Sequence, residues 1–95
     1  MTTLGAIMVD DQDNVATVLE NMEPDHSVAV KSKKSNEAIK SLKVLESIPV
    51  YHKIAVEKIQ AGEKVIKYGA VIGTATKEIE IGEHVHTHNI KSLRG

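Results

Sequence analysis

Three histidines alternate with other residues near the end of the chain, in the segment 82–89 with the sequence GEHVHTHN. In a β-strand the residues i, i+2 and i+4 project from one face, so this spacing predicts that His84, His86 and His88 point together. Two imidazoles in an H-x-H pair can bind one metal ion. In a straight strand the outer two Cα atoms would lie about 13 Å apart at ~3.3 Å per residue, so all three can share an ion only if the strand bends.

This histidine row has three interpretations, of which two give it a function and one gives it none. Neutral imidazoles can bind a metal, with His84 and His86 as the candidate ligands, whereas imidazolium groups can contact an anionic substrate or partner; a pKa near ~6.5 permits both. The third interpretation is a polar outer face. The sequence has no cysteine and no other strong ligand cluster, so a complete metal site would need a second chain. We predict His84, His86 and His88 as catalytic residues.

Two other groups of polar residues are weaker candidates. His52 and Lys53 are adjacent and can bind a substrate carboxylate or phosphate, although a solvated surface lysine is the common alternative. Asp10, Asp11 and Asp13 can form part of a cation site. However, their spacing lacks the glycine and the terminal glutamate of a calcium loop, which favours a solvated turn.

The composition indicates how these residues are positioned. Among 95 residues there are 11 Val and 10 Ile but only 5 Leu, with no Phe, no Trp and 2 Tyr. β-Branched residues pack well in sheets and lose rotamer freedom in helices. The sequence therefore predicts one mostly β domain, residues 1–95, with an aliphatic core. Exposed strand edges favour association, so a second copy of the chain is a candidate partner.

Charge and hydropathy exclude several partners. The formal net charge is −1 and the lysines are scattered, while aromatic stacking platforms are nearly absent, so we expect no nucleic-acid partner. No apolar run is long enough for a signal peptide or a membrane span, so we expect a cytoplasmic protein without a membrane partner. The absence of cysteine excludes disulfides and thiol catalysis.

Hydrophobic patterning predicts short strands. Residues 4–9 indicate a first strand, and residues 27–31 alternate with the period of two that is typical of a half-buried strand. Residues 15–19 fit a strand or a helical turn. The stretch 38–48 is predicted as a strand, although Ile39, Leu42 and Leu45 also fit helical spacing.

An internal repeat covers the second half of the chain. Residues 59–65 (IQAGEKV) recur as 79–85 (IEIGEHV), and a weaker copy precedes them at 48–54 (IPVYHKI). Each copy predicts an apolar anchor, a tight turn with a positive φ at the glycine, and then a strand. Tyr51 replaces the glycine in the weak copy, which must turn differently or hold Tyr51 under strain. Gly69 and Gly73 predict bends, bulges or a close approach of backbone.

These motifs resemble one known domain. The matching segments are 13–16 (DNVA), 52–56 (HKIAV), 62–69 (GEKVIKYG), 72–73 (IG) and 82–89 (GEHVHTHN). Together they resemble the N-terminal SAF-type domain of the altronate and galactarate dehydratases, which also occurs as a separate small subunit. The resemblance implies a β-clip fold, with long bent hairpins, short strands and little helix. The chain departs from the family pattern at Tyr51, where glycine is usual, and in a longer segment 31–45.

The resemblance also implies a function. These dehydratases remove water from sugar acids with a divalent metal, usually iron(II), and most of the catalytic apparatus belongs to a large domain. We therefore expect a metal-dependent lyase small subunit whose partner is a separate large catalytic subunit that holds most of the metal site. His84, His86 and His88 would line the junction as ligand, proton donor or substrate clamp, and His52 and Lys53 would complement the carboxylate.

Three alternatives remain open from the sequence. A related two-subunit enzyme, sulfolactate sulfo-lyase, has a small subunit of this kind and eliminates sulfite. SAF-type domains also occur as stand-alone carbohydrate- or ligand-binding modules. Finally, the chain can be a regulatory or structural subunit whose histidines pack at an interface.

Overall fold

The structure, a computed structural model, describes residues 4–92 as an arrangement of strands. The strands are β1 (Leu4–Met8), β2 (Val15–Val18), β3 (Ser27–Ser32), β4 (Ala38–Lys43), β5 (Lys53–Ala55), β6 (Lys64–Lys67), β7 (Ala70–Ala75), β8 (His84–Val85) and β9 (Ile90–Ser92). Residues 4–92 contain no helix, and hence none that could span a bilayer. The predicted mostly β, β-clip architecture is confirmed.

The strands form two sheets. A six-stranded sheet has the order β4-β3-β1-β2-β5-β8, and a three-stranded sheet has the order β6-β7-β9. The neighbours pair antiparallel, except that β1 and β3 pair parallel. Two short strands, β5 and β8, therefore lie side by side at the edge of the larger sheet.

The ambiguous segments are strands. β2 covers 15–18, so the strand alternative is correct there, and the first strand ends at Met8, one residue earlier than predicted. β4 confirms the strand predicted after residue 38, although it ends at Lys43. Ile39 and Leu45 are about half exposed, so the helical spacing does not produce a buried face. Pairing with β3 determines the structure of this segment instead.

Two hydrophobic cores share a common wall. One core is built mainly from β1–β4 and contains Val18, Val28 and Val30, and the other is built mainly from the chain after residue 58. Neighbouring residues of β2 and β5 alternate between them, because successive strand residues point to opposite faces. Val15 and Ala55 lie in the second core, whereas Ala16 and Ile54 lie in the first.

One turn occurs four times. In each copy an apolar residue is followed three positions later by a residue with positive φ. The copies, called the first to fourth turn, are residues 22–28, 48–54, 59–65 and 79–85, with positive φ at Asp25 (73°), Tyr51 (68°), Gly62 (89°) and Gly82 (93°). The three predicted copies are confirmed, and Tyr51 does adopt the strained conformation. The first turn was missed because Asp25 replaces glycine.

Paired backbone hydrogen bonds close each turn. The positive-φ residue donates its N–H to the carbonyl of a residue in or directly after a neighbouring strand. That residue donates its own N–H back to the carbonyl of the next turn residue. The partner residues for the first to fourth turns are Val44 (directly after β4), Val18, Ala75 and Ala55. The turns also associate in pairs, through the bridges Met22–Ile48 and Ile59–Ile79. Each turn of a pair thereby holds the strand that leads into the other.

The two glycines of the 69–73 segment have different roles. Gly69 (φ 74°) and Tyr68 (φ 56°) form the two-residue hairpin turn between β6 and β7, where positive φ at both positions matches the sheet twist. At Gly73 an added Cβ would overlap the carbonyl oxygen of Lys91 in β9. Both a bend and a close backbone approach are therefore present, as predicted.

The acidic segment is not a simple solvated turn. Asp13 is only 1% exposed, and its carboxylate accepts the N–H groups of Asp10, Tyr68 and Gly69 at 2.8–3.1 Å. The solvated-turn interpretation is therefore wrong for Asp13. Its buried charge is satisfied by three backbone donors and fixes the β6–β7 hairpin to the loop after β1.

Gly62 and Gly82 form a matched pair for testing the turns. Both have positive φ, but an added Cβ meets nothing within 4 Å at Gly62, whereas at Gly82 it overlaps the carbonyl oxygen of Lys43. We expect G62A to lower the free energy of unfolding by about 1–2 kcal/mol, the cost of left-handed backbone for a residue with a Cβ. G82A should cost about 1–3 kcal/mol more, through overpacking. Urea denaturation of both variants measures the difference, and equal losses would contradict the overlap.

Candidate functional site

The pairing of β5 with β8 brings two distant candidates together. Lys53 lies opposite Val85 in this antiparallel pair, so His52 arrives beside the histidine row. Nδ1 of His52 lies 2.9 Å from Nε2 of His84, and the rings of His52 and His86 stack with centroids 4.7 Å apart. From the sequence, His52 and the histidine row were predicted as two separate candidate sites. The structure joins His52, His84, His86 and His88 in one group, named here the histidine cluster.

The chain that carries the histidine row bends after Val85. β8 contains only His84 and Val85, and residues 86–89 leave the strand as a bend and turn, so the strand predicted for the whole row does not include His86 and His88. The ring of His84 nevertheless lies 5.4 Å from that of His86 and 5.2 Å from that of His88, measured between centroids. The bend needed for convergence is therefore present.

Asn89 holds this bend. It is fully buried, its Oδ1 accepts the N–H of His86 at 2.9 Å, and its Nδ2 donates to the carbonyl of His84 at 2.8 Å. Its own N–H donates to the carbonyl of His86 at 3.1 Å. The asparagine thus fixes the backbone at both His84 and His86. The asparagine belongs to the motif that carried the family resemblance, but its position alone gave no sign of this role.

Proline explains why His52 is available to the cluster. In three of the four turns, the side chain after the positive-φ residue accepts the N–H of the residue three positions earlier. These acceptors are Nδ1 of His26 (3.0 Å), Oε1 of Glu63 (2.7 Å) and Oε1 of Glu83 (2.8 Å). In the second turn the residue three positions earlier is Pro49, which has no N–H. His52 therefore makes its contact with His84 instead.

The cluster favours neutral imidazole. Burial lowers the pKa of His84 from 6.5 to about 4, and the charges of His52, His88, His86 and Lys53 add to the effect in that order. The pKa of His86 is also lowered, first by burial and then by His52, Lys53 and His88. Both rings are therefore uncharged near neutral pH, with a lone pair free for a metal ion or a hydrogen bond.

Lys53 borders the cluster without belonging to it. Its ammonium charge contributes to the lowered pKa of both His84 and His86. Burial, followed by the charge of Lys67, lowers the pKa of Lys53 itself. The predicted pair of His52 and Lys53 is thus divided: one residue joins the cluster, while the other supplies positive charge next to it.

Glu46 is a site residue that the sequence did not reveal. Its Oε2 accepts the backbone N–H of His84 at 3.2 Å. A carboxylate oxygen of Glu46 and one ring nitrogen each from His84 and His88 lie within 4.8 Å of one another. Glu46 lies in the loop between β4 and the second turn, and only the tertiary structure brings this polar residue to the cluster.

The donor set fits a divalent metal. One nitrogen each from His52, His84 and His86 lie within 4.8 Å of one another. Two ligand nitrogens about 2.0–2.1 Å from one ion are separated by about 3 Å, close to the distance between His52 and His84. Imidazole suits zinc and iron, and ligating imidazole must be unprotonated. The uncharged ring of His84 meets that condition.

An open cleft begins at the cluster. It has a volume of about 370 Å³ and runs past the Met22–Ile48 bridge, with His84 on its wall. Glu23 and Ser47 also line it and hydrogen-bond to each other at 2.8 Å, and Asn21 Oδ1 accepts the N–H of Val50. The cleft can admit a small polar molecule to the edge of the cluster.

Comparison with known proteins identifies relatives of two kinds. Altronate dehydratase of Bacillus subtilis (strain 168) is 35% identical over 89 residues, which are 90% of this chain but 16% of the relative. Altronate dehydratase of Escherichia coli (strain K12) is 33% identical over 86 residues, again 16% of its length. (2R)-sulfolactate sulfo-lyase subunit alpha of Paracoccus pantotrophus is 49% identical over 47 residues, 50% of this chain and 70% of that protein.

The chain therefore matches one part of the dehydratases and most of the length of one sulfo-lyase subunit. Residues 4–93 also match the family model described as the altronate/galactarate dehydratase SAF domain. That match covers nearly the whole chain, including the histidine cluster and all four turns. This chain belongs to the altronate/galactarate dehydratase SAF domain family.

Proposed function

We propose that this chain is the small subunit of a metal-dependent hydro-lyase, which eliminates water from a sugar-acid-like hydroxy carboxylate together with a large catalytic subunit. The relatives include dehydratases of which the chain spans 16%, and a lyase subunit that it matches over 70% of the length. Both patterns support a partner that carries most of the catalytic apparatus. The observation that carries the proposal is the convergence of four imidazoles on the border of an open cleft.

The reaction requires three groups. A base removes the proton from the carbon next to the carboxylate. The electron pair of that C–H bond forms a C=C bond while the C–O bond to the neighbouring hydroxyl breaks, and the departing oxygen takes a proton and leaves as water. The large subunit would provide the principal base and most of the metal ligands. A bound divalent metal, iron(II) by the family resemblance, would stabilise the negative charge that develops on the carboxylate.

The cluster would contribute binding and proton transfer. His84 and His86 have lowered pKa values, which suits them as ligands and makes them poor imidazolium clamps. His88 is exposed, and it would donate a proton to the departing hydroxyl. Lys53 would complement the substrate carboxylate.

The surroundings of the cluster support a protein partner. Tyr51 precedes His52 and is 72% exposed, and Leu45 precedes Glu46 and is 49% exposed. Apolar side chains beside polar catalytic groups are typical of a surface that another chain covers. Tyr51 also occupies a positive-φ position where the third and fourth turns have glycine, at a cost of about 1–2 kcal/mol. A contact made by its ring would offset that cost.

A sulfo-lyase is the second candidate. The 49% identity to the sulfolactate sulfo-lyase subunit is higher than the 35% identity to the Bacillus subtilis altronate dehydratase, although it covers only half of this chain. The same elimination would then break a C–S bond and release sulfite. The histidine cluster would have equivalent roles in both reactions, so the leaving group distinguishes them.

The elimination assay tests the function and the site together. The chain is co-expressed and purified with a large subunit of the family, and release of water from sugar acids and of sulfite from sulfolactate are measured separately. We expect H84A, H86A and H88A each to lower kcat by about 10²–10⁴-fold, the usual contribution of a positioned acid–base or ligand group. H26A, outside the cluster, should keep the wild-type rate.

Unchanged turnover in all three cluster variants would overturn the site assignment. Absence of any elimination by the wild-type complex would overturn the lyase proposal itself.

The partner surface can be tested with matched exposed apolar residues. We expect L45S and Y51S to weaken binding to the large subunit by about tenfold or more each, the effect of removing an interface anchor worth over 1 kcal/mol. I39S is the control, because Ile39 is similarly exposed (45%) but lies on the edge strand β4. Affinities are measured by calorimetry, and equal weakening by all three substitutions would contradict a partner surface at the cluster.

The lowered pKa of His84 predicts how stability depends on pH. Between pH 6.5 and about 4, the unfolded chain binds a proton at His84 that the folded chain does not. The free energy of unfolding of the metal-free chain should therefore fall as the pH is lowered through this range. H84Q removes this contribution and should show a shallower loss. Urea denaturation at several pH values, with chelator present, measures the slope; an unchanged slope in H84Q would count against the half-buried neutral imidazole.

A further inference from the structure

The second turn differs from the other three in one respect. Its residue His52 stands where His26, Glu63 and Glu83 stand in their turns, and each of these side chains caps a backbone N–H of its own turn. His26 is the direct comparison, because it is the same residue type at the same position and uses the same atom, Nδ1. In the second turn, Pro49 removes the donor, and Nδ1 of His52 contacts Nε2 of His84 at 2.9 Å.

We propose that His52 is the third protein ligand of a divalent-metal site that this chain forms by itself with His84 and His86, and that Pro49 is the positioning residue that frees it. The inference rests on the proposed ligand role of His84 and His86. It replaces the substrate contact predicted for His52 from the sequence. It also replaces, for this ion, the expectations that a second chain is needed before the metal binds and that the large subunit supplies most of the ligands.

The distances support three ligands on one ion. The donor nitrogens of His52, His84 and His86 lie within 4.8 Å of one another. Nδ1 of His52 and Nε2 of His84 lie 2.9 Å apart, close to the separation of two nitrogens that bind one ion. Three protein ligands leave further coordination positions open, as catalytic sites require for substrate and for ligands from a partner.

The alternative set, Glu46 with His84 and His88, is less available. The carboxylate of Glu46 accepts the backbone N–H of His84, which fixes one of its oxygens at the loop. Both sets contain His84, and a neutral imidazole has one lone pair for a metal ion, so the two sets cannot hold two ions at the same time. The contact between His52 and His84, at 2.9 Å, directly pairs two ring nitrogens.

Metal titration of the full chain without a large subunit tests the ligand role. Cobalt(II) is the probe, because its visible absorption reports coordination directly, and zinc(II) competition gives the affinity. We expect wild type to bind one ion and H52Q to bind it more than about 100-fold more weakly, a larger loss than second-shell changes produce. H26Q removes the equivalent histidine of the first turn and should leave affinity unchanged.

A proline substitution tests the positioning role. P49A restores a backbone N–H in the second turn, and Nδ1 of His52 should then cap it, as His26 caps the N–H of Glu23. We expect the new amide of residue 49 to be protected from hydrogen exchange, and zinc affinity to fall by about 10–100-fold, as for loss of a positioning contact. P24A, in the first turn, changes a proline without creating an amide at the capped position, and should leave affinity unchanged.

Each outcome supports or overturns part of the proposal. No cobalt binding by wild type, or equal binding by H52Q, overturns the three-histidine site; loss of binding in H88Q with full binding in H52Q assigns the ion to Glu46, His84 and His88 instead. Unchanged affinity in a folded P49A variant overturns the role of Pro49. The measurements need no partner and no substrate, so they succeed or fail independently of the lyase reaction.

Discussion

The fold depends on a mutual backbone constraint between turns. At each of the four turns, a positive-φ residue donates to a neighbouring strand and receives a hydrogen bond back at the next position. Because that strand leads into the other turn of the pair, neither turn can close without holding its partner in place. A chain with short strands and no helix among residues 4–92 obtains its rigidity from these reciprocal closures as well as from sheet pairing.

The same constraint explains where the histidine cluster is located. A backbone that is already closed by its own hydrogen bonds does not need every side-chain cap, and one cap is missing at Pro49. The imidazole released there lies at the end of β5, which pairs with the strand that carries His84. Buried Asn89 then bends the following segment so that His86 and His88 return to the same place. A structural repeat with one altered copy thus produces a cluster of four imidazoles.

The sequence predicted most of the strands, though not β7 and β9, and three of the four turns, since β-branched residues, period-two alternation and repeated glycine are local signals. It also predicted His84, His86 and His88, whose spacing is visible without a structure. It could not predict that His52 joins them, because that depends on pairing between β5 and β8, or that Glu46 does, because a loop residue carries no pattern. The first turn was missed because Asp25 tolerates left-handed backbone without the glycine that marks the others.

Because β2 and β5 contribute residues to both cores, the two halves of the chain cannot pack independently. The two turn pairs close loops of about 20 to 26 residues, so the entropy cost of loop closure is similar for both. Each turn pair resembles half of a duplicated unit. Yet the core formed by the later half takes Val15 and Ala55 from the earlier one. A chain cut after residue 57 would leave the later fragment without two buried residues of its core, Val15 and Ala55. The fragments would have to recombine as a complementing pair to recover the native packing.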